Sequence, residues 1–248
     1  MLEHGKMKHQ SQVWCRTDKG LKRESNQDSF LVNQDLGLYI VADGMGGHLG
    51  GEVASSLAVK TAEEIVAQFK NNTRSARDLI TLAFNESCKR IYDLAERENP
   101  KLSGMGTTMV LAFEAGNSIF FGNVGDSRAY LYRNEGFWQL TEDHSLVNEQ
   151  LRAGLIREDQ VKQFVGRNVI TRSVGFEREV AIDILERPIQ SGDSFLLCSD
   201  GLCGLVSDNR MGELVHKENP DEHVNDLIRE ALNCGGDDNV TAIVLKYL

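Results

Sequence analysis

Leu38-Tyr39-Ile40-Val41-Ala42-Asp43-Gly44-Met45-Gly46-Gly47-His48 runs from five apolar residues through an aspartate into a string of glycines. The apolar half predicts a buried strand. The glycines predict a backbone open to ligand and solvent, since no Cβ stands over the peptide. Three other aspartates share this setting. Asp126 lies in Gly125-Asp126-Ser127-Arg128 after the run Ser118 to Val124, Asp200 in Ser199-Asp200-Gly201 after Ser194 to Cys198, and Asp238 in Gly236-Asp237-Asp238-Asn239 before Val240 to Tyr247. If the fold gathers them, they need cations. Two unit charges about 4 Å apart repel by roughly 4 kcal/mol at an effective dielectric of about 20, so clustered carboxylates either hold protons or bind metal. Oxygen-only ligands select Mg²⁺, Mn²⁺ or Ca²⁺ over zinc or copper.

The 248 residues and 41% hydrophobic content are ample for a sizeable core. Only 3 prolines and no low-complexity run point to one domain over residues 11–248, with residues 1–10 a disordered tail or partly an expression remnant. The net charge of −10 argues against a nucleic-acid partner, which would need a basic stripe. No apolar run reaches the ~20 residues of a membrane span and no leader pattern opens the chain. The expected setting is therefore the cytoplasm, with no membrane role. Cys15, Cys88, Cys198, Cys203 and Cys234 form no Cys-x-x-Cys pair. They read as thiols in a reducing compartment, Cys198 being core packing rather than a nucleophile.

Strand patterns occur at Val13 to Arg16, Phe30 to Val32, Leu38 to Ala42, Thr108 to Phe113, Ser118 to Val124, Ala129 to Tyr132, Asp183 to Glu186, Ser194 to Cys198 and Val240 to Tyr247. Met109 to Phe113 is apolar on both alternating faces, as in a sheet covered on both sides. Helical periodicity marks Gly51 to Lys70, where Val53, Leu57, Thr61, Ile65 and Phe69 form one row, and Ser75 to Glu98, which Pro100 ends. Two more helices, about Ser207 to Lys217 and Asp221 to Asn233, precede the last strand. This order is not an alternating βαβ series. It predicts an α+β fold, with antiparallel sheets packed face to face and helices outside.

The remaining chemistry-bearing segments are Arg23-Glu24-Ser25-Asn26-Gln27-Asp28, Ser103-Gly104-Met105-Gly106-Thr107-Thr108 and the surroundings of His144. Arg23 offers a planar, permanently charged fork suited to phosphate. Each segment alone also reads as an ordinary turn or solvated loop. The glycine run after Asp43 fits neither the P-loop nor the dinucleotide fingerprint, and the EF-hand pattern is absent. Of the histidines, only His48 and His144 fall inside motifs. His4 and His9 read as tail, His216 and His223 as helix surface.

In order, Arg23-x-x-Asn26-Gln27-Asp28, Ala42 to His48, Gly104 to Thr108, Gly125 to Arg128, Leu140-Thr141-Glu142-Asp143-His144-Ser145, Ile170-Thr171-Arg172-Ser173-Val174-Gly175, Ser199-Asp200-Gly201 and Asp238-Asn239-Val240-Thr241 resemble the PPM family, the metal-dependent (type 2C) serine/threonine protein phosphatases, in its bacterial branch. The resemblance covers Val13 to Leu248. It implies a four-layer α-β-β-α sandwich of two antiparallel sheets and a binuclear Mn²⁺ or Mg²⁺ centre, where a metal-bridged water attacks phosphoserine or phosphothreonine directly. By the same resemblance Asp43 bridges both metals, Asp200 and Asp238 complete the first, and the Gly44 carbonyl serves the second. Asp126 with Asp200 holds a weaker third ion, Asp28 acts through water, and Arg23 grips the phosphate. The donor to the leaving alkoxide is His48, which reads equally as support for the glycine loop, or a metal-bound water, and His144 stabilises a turn.

A mobile flap of about residues 145–168 is also implied. Here the chain departs from the family: Phe164-Val165-Gly166-Arg167-Asn168 lacks the His-Pro that bacterial relatives commonly carry before Arg-Asn. The implied partners are phosphorylated proteins and a cognate serine/threonine kinase whose work the enzyme reverses, acting as a monomer. The competing readings are a catalytically silent phosphoprotein-binding relative and a protein whose metals only staple the fold.

Overall fold

The computed structural model describes residues 10–216 and 220–248, with the side chains at 48, 49, 162, 220 and 221 outside that description. Residues 1–9 of the expected 1–10 tail, with His4 and His9, lie outside the described residues. The carbonyl of Gln10 accepts a hydrogen bond from Leu248 N–H (2.9 Å).

In chain order the elements are β1 (Ser11–Asp18), β2 (Asp28–Asn33), β3 (Leu38–Met45), α1 (Gly47–Phe69), α2 (Ala76–Asp93), β4 (Gly106–Thr107), β5 (Met109–Ala115), β6 (Ser118–Val124), β7 (Arg128–Arg133), β8 (Gly136–Gln139), α3 (Leu146–Arg152), β9 (Asp183–Pro188), β10 (Ser194–Cys198), α4 (Asp200–Cys203), α5 (Asp208–Val215), α6 (Pro220–Asn233) and β11 (Val240–Tyr247). One sheet runs β1-β11-β10-β7-β8. The other runs β2-β3-β5-β6-β9, with β4 paired to β3. Every pairing between strands is antiparallel.

Three apolar clusters make the four layers. α1 and α2 bury Ala58, Val66, Ile80 and Phe84 against Ile40, Leu111 and Met109 of the second sheet. α5 and α6 bury Met211, Leu214, Leu227 and Ile228 against Leu196 and Val244 of the first. Between the sheets lie Tyr39, Val41, Val110, Phe121, Phe195, Leu197, Ile243 and Leu245. α2 starts from a capping box, with Ser75 Oγ accepting from Asp78 N–H (3.1 Å) and Asp78 Oδ2 from Ser75 N–H (3.3 Å).

Strand parity turns this sandwich into a site. Side chains alternate faces along a strand, so the residues that continue Tyr39 and Val41 on the face between the sheets include Asp43. Phe30 and Val32 lead back to Asp28, Phe195 and Leu197 lead on to Ser199, and Tyr247, Leu245 and Ile243 lead back to Thr241. Apolar residues fill the middle of the inter-sheet core, and polar ones cap one end of it.

Some elements depart from expectation. α1 starts at Gly47 rather than Gly51. The second helix continues past Asp93 as a single π-helical turn, Leu94–Glu98. α3, α4 and β8 had no sequence forecast. His223 is not on a helix surface. It is fully buried, in one row with Leu227 and Ala231, 6.0 Å from the ring of Trp14. His216 is exposed and stacks on Tyr132 at 4.7 Å. No helix among the described residues is long and apolar enough to cross a membrane.

Candidate active site

Asp28 and Asp43 stand directly opposite one another in the β2–β3 register, an arrangement that is unfavourable for like charges. The structure supports each differently. Asp28 is buried, and its Oδ2 accepts from Ser199 Oγ (2.8 Å) and Thr241 Oγ1 (2.6 Å). Asn26 Nδ2 donates to Thr17 Oγ1 and the Thr17 hydroxyl to Thr241 Oγ1, both at 2.8 Å, so a chain of hydroxyls ends on the carboxylate. Asp43 is held through its backbone. Its N–H donates to Thr108 Oγ1 (2.9 Å), and its carbonyl accepts from Thr107 Oγ1 and Thr108 N–H (both 2.8 Å).

The other aspartates arrive on turns. Gly125 takes φ 105°, and a Cβ there would press on Thr108 at 2.6 Å. Gly125 N–H donates to Nδ1 of buried His144 (3.1 Å), and His144 N–H returns a bond to the Gly125 carbonyl (3.0 Å). Nδ1 thus accepts from the backbone, while Nε2 lies 3.3 Å from Asp183 Oδ2 and 3.1 Å from Arg172 Nη1. Burial lowers the pKa of this imidazole, so it acts as a neutral clamp on the Asp126 turn. Asp200 opens α4, where a Cβ on Gly201 would collide with the Asn239 carbonyl. The helix start therefore lies against the Asp238 loop. Asn239 binds that loop to the N-terminal segment, accepting from Gln27 N–H (2.8 Å) and donating to the carbonyls of Lys19 and Ser25 (both 2.9 Å).

Asp43, Gly44, Asp126, Asp200, Asp238 and Arg23 line one cavity of about 580 Å³. Asp28 lies behind Asp43 and does not line it. Arg23 Nη2 meets Asp238 Oδ2 at 2.5 Å, with half of its side chain exposed. The His48 side chain lies outside the described residues; its backbone is in the first turn of α1. Arg128, from the Asp126 motif, faces elsewhere, forking onto Asp143 at 2.6 to 3.1 Å.

Electrostatically the cluster is overfilled with negative charge. Burial, then repulsion from Asp200 and Asp238, holds Asp28 up at about 7 against its two hydroxyl donors. Burial and Asp200 push Asp126 up to about 7. Asp43 and Asp200 are also raised, chiefly by burial, with Asp28 acting on Asp43 and Asp238 on Asp200. Buried Asp28 Oδ1 and Asp200 Oδ1 have no hydrogen-bond partner. Unpartnered carboxylate oxygens set among other carboxylates suit a bound cation. Among the described residues no three His, Cys, Asp or Glu side chains form a ready-made group around one ion. The donors are all oxygens, which suits Mg²⁺ or Mn²⁺; Mg²⁺ in particular keeps several waters beside one or two carboxylates.

Ser199, Thr241, Thr107, Thr108 and Asn239 all stand in sequence motifs but have no role assignable from local pattern. Parity is the one signal that places Ser199 and Thr241 on the Asp28 face, and it needs the sheet pairing.

The family model described as protein phosphatase 2C matches residues 21–246. The serine/threonine phosphatase stp of Listeria monocytogenes is 39% identical over 240 residues, covering 93% of this chain and 94% of its own. The Mycobacterium tuberculosis serine/threonine phosphatase PstP/Ppp superposes with a TM-score of 0.88 at 33% identity, over 95% of this chain and 98% of that one. A structure of the PstP catalytic domain in complex with 2 manganese ions gives 0.87 at 33% identity, over 96% and 98%. The gathered carboxylates, the two-sheet sandwich and these likenesses agree: the chain belongs to the protein phosphatase 2C family and is a divalent-metal phosphatase of that type.

Proposed function

We propose that this protein hydrolyses phosphoserine and phosphothreonine in proteins at a two-metal centre, reversing the work of a serine/threonine kinase. The observation that carries the reading is that aspartates from four distant segments face one cavity with Arg23 at its edge. Asp43, Asp200, Asp238 and the Gly44 carbonyl would hold two Mn²⁺ or Mg²⁺ ions, and Asp126 with Asp200 a weaker third. When bound, such ions lower the pKa of water and offset charge on the phosphoryl oxygens. The chain's own groups do the rest. Arg23 can turn from Asp238 to a phosphate, since its side chain is half exposed in that ion pair. Asp28, aimed by Ser199 and Thr241, orients water behind Asp43. Asn239 and the two threonines hold the segments in register, so that little rearrangement is needed as charge shifts. We assign His48, beside the metal-holding loop, as proton donor to the leaving alkoxide. Residues 11–248 act as one catalytic domain of a cytoplasmic monomer, with the flap at 145–168 meeting protein substrates.

Phosphate release from a phosphothreonine peptide tests this, with added Mn²⁺, added Mg²⁺, and chelator. Turnover that requires metal is the expected result. Peptide binding with no turnover under either ion would replace the proposal with a phosphoprotein-binding module.

A further inference from the structure

A second cavity, of about 400 Å³, adjoins the catalytic one and shares Met45 and Ile170 with it. Its wall is the segment 170–181, and that segment is pinned. Val174 and Thr107 exchange backbone hydrogen bonds (3.0 and 2.8 Å). Gly175, at φ 91°, rests on Ile91 of α2 so closely that a Cβ would collide. The cavity is therefore a built extension of the catalytic groove.

Its chemistry is one-sided. Phe176, 60% exposed, forms an apolar wall with Met45 and Val180. The lining cation Arg172 is occupied, donating to Asp183 at 3.1 Å. Glu177 and Glu179 line the same cavity, are exposed, and enter no ion pair among the described residues.

We propose that this cavity is a subsite for a lysine or arginine side chain close in sequence to the phosphoresidue, making basic-flanked phosphoproteins the preferred substrates. The proposal deepens the phosphatase reading and rests on it. A long basic side chain suits this lining. The methylene stem covers Met45 and Val180, the charge can sit over the Phe176 ring, and the head reaches the two carboxylates. An acidic flank would meet Glu177 and Glu179 as like charges. The shared Met45 and Ile170 keep one extended peptide, advancing about 3.3 Å per residue, in both cavities at once.

The test compares kcat/KM for phosphothreonine peptides carrying Lys, Ala or Glu at each position within about four residues of the phosphothreonine, with p-nitrophenyl phosphate as a substrate too small to reach the second cavity. Lys at one position should exceed Glu there by about tenfold. The double variant Glu177→Lys with Glu179→Lys should erase or invert that preference while leaving p-nitrophenyl phosphate turnover within about twofold. Phe176→Ala should lower only the Lys-peptide rate. Equal rates for all flanks beside normal p-nitrophenyl phosphate turnover would overturn the subsite alone, as would a Lys preference that survives the double variant. Loss of turnover on every substrate in the unaltered protein would overturn the phosphatase reading and the subsite with it.

Discussion

The core between the two sheets has a polar group at each end, and the two ends handle it in opposite ways. At the far end, Glu114 continues the Val110 and Ala112 face and is buried. Its Oε1 accepts from Tyr247 OH (2.5 Å) and Tyr39 OH (3.2 Å). One carboxylate there meets two phenols, and the surrounding side chains are large. At the near end Asp28, Asp43, Asp126 and Asp200 crowd together, every one with its pKa raised, among glycines and small hydroxyls. At the far end a single carboxylate is held by two phenols through Oε1, while its Oε2 is buried without a hydrogen-bond partner. Four carboxylates together are tolerable only with cations or protons, and the glycines leave room for cations and substrate. The contrast separates a carboxylate that serves packing from carboxylates that serve chemistry.

The sharpest way to break the contrast is to neutralise one carboxylate at the near end. Asp200→Asn should lower kcat by about 10³-fold or more. In chelator it should leave the fold as stable as before or more so, because a charge that the fold disfavours is gone. Near-normal turnover would remove Asp200 from the metal site.

The second test uses pH. Burial and neighbouring carboxylates push Asp28 and Asp126 up to about 7 from an ordinary 3.8, so between about pH 4 and 7 the native state holds protons that the unfolded chain has released. Stability of the metal-free protein should therefore be fullest at low pH and fall as pH rises through 7, by a few kcal/mol in all. Mn²⁺ should restore it at pH 7.5 by mass action. Urea midpoints in chelator that stay level or climb across this range would contradict the crowding described here.

A smaller effect sharpens the role of Arg23. Arg23→Ala should raise KM about tenfold with kcat largely kept, as for a phosphate contact made before and during reaction. A kcat defect at unchanged KM would point instead to its partner Asp238. Least of all, Glu114→Gln should cost about 1–2 kcal/mol, since the new amide brings donors into a site that holds only hydroxyl donors. Turnover should stay within about twofold. A large loss of activity would mean that the two ends communicate.

Much of this arrangement is legible in the sequence. β6, β10 and β11 coincide with their apolar runs, and the aspartates expected to gather do share one cavity. What the sequence hides is hidden for physical reasons. Gly47, Gly50 and Gly51 lower helix propensity, so the first turn of α1 reads as loop. The structure needs glycine at 51 because a Cβ there would press on the Gly44 carbonyl at 2.6 Å. β8 is a short edge strand with Trp138 half exposed, too brief to show alternation. The Ser145 cap of α3, accepting from Asn148 N–H, is a signal present in the sequence but easily passed over beside His144. Ser199 and Thr241 meet Asp28 only through pairings that span the chain.

That span bears on when the enzyme can first exist. Asp28 and Thr241 are 213 positions apart, and Asn239 closes on Lys19, Ser25 and Gln27 across a similar gap. Non-local pairings of this kind form late, so a polypeptide still emerging from the ribosome carries the Asp43 loop for most of its synthesis without a finished centre. Activity should appear in a single step, once β11 docks, and a product truncated before residue 238 would be inert toward the cell's phosphoproteins.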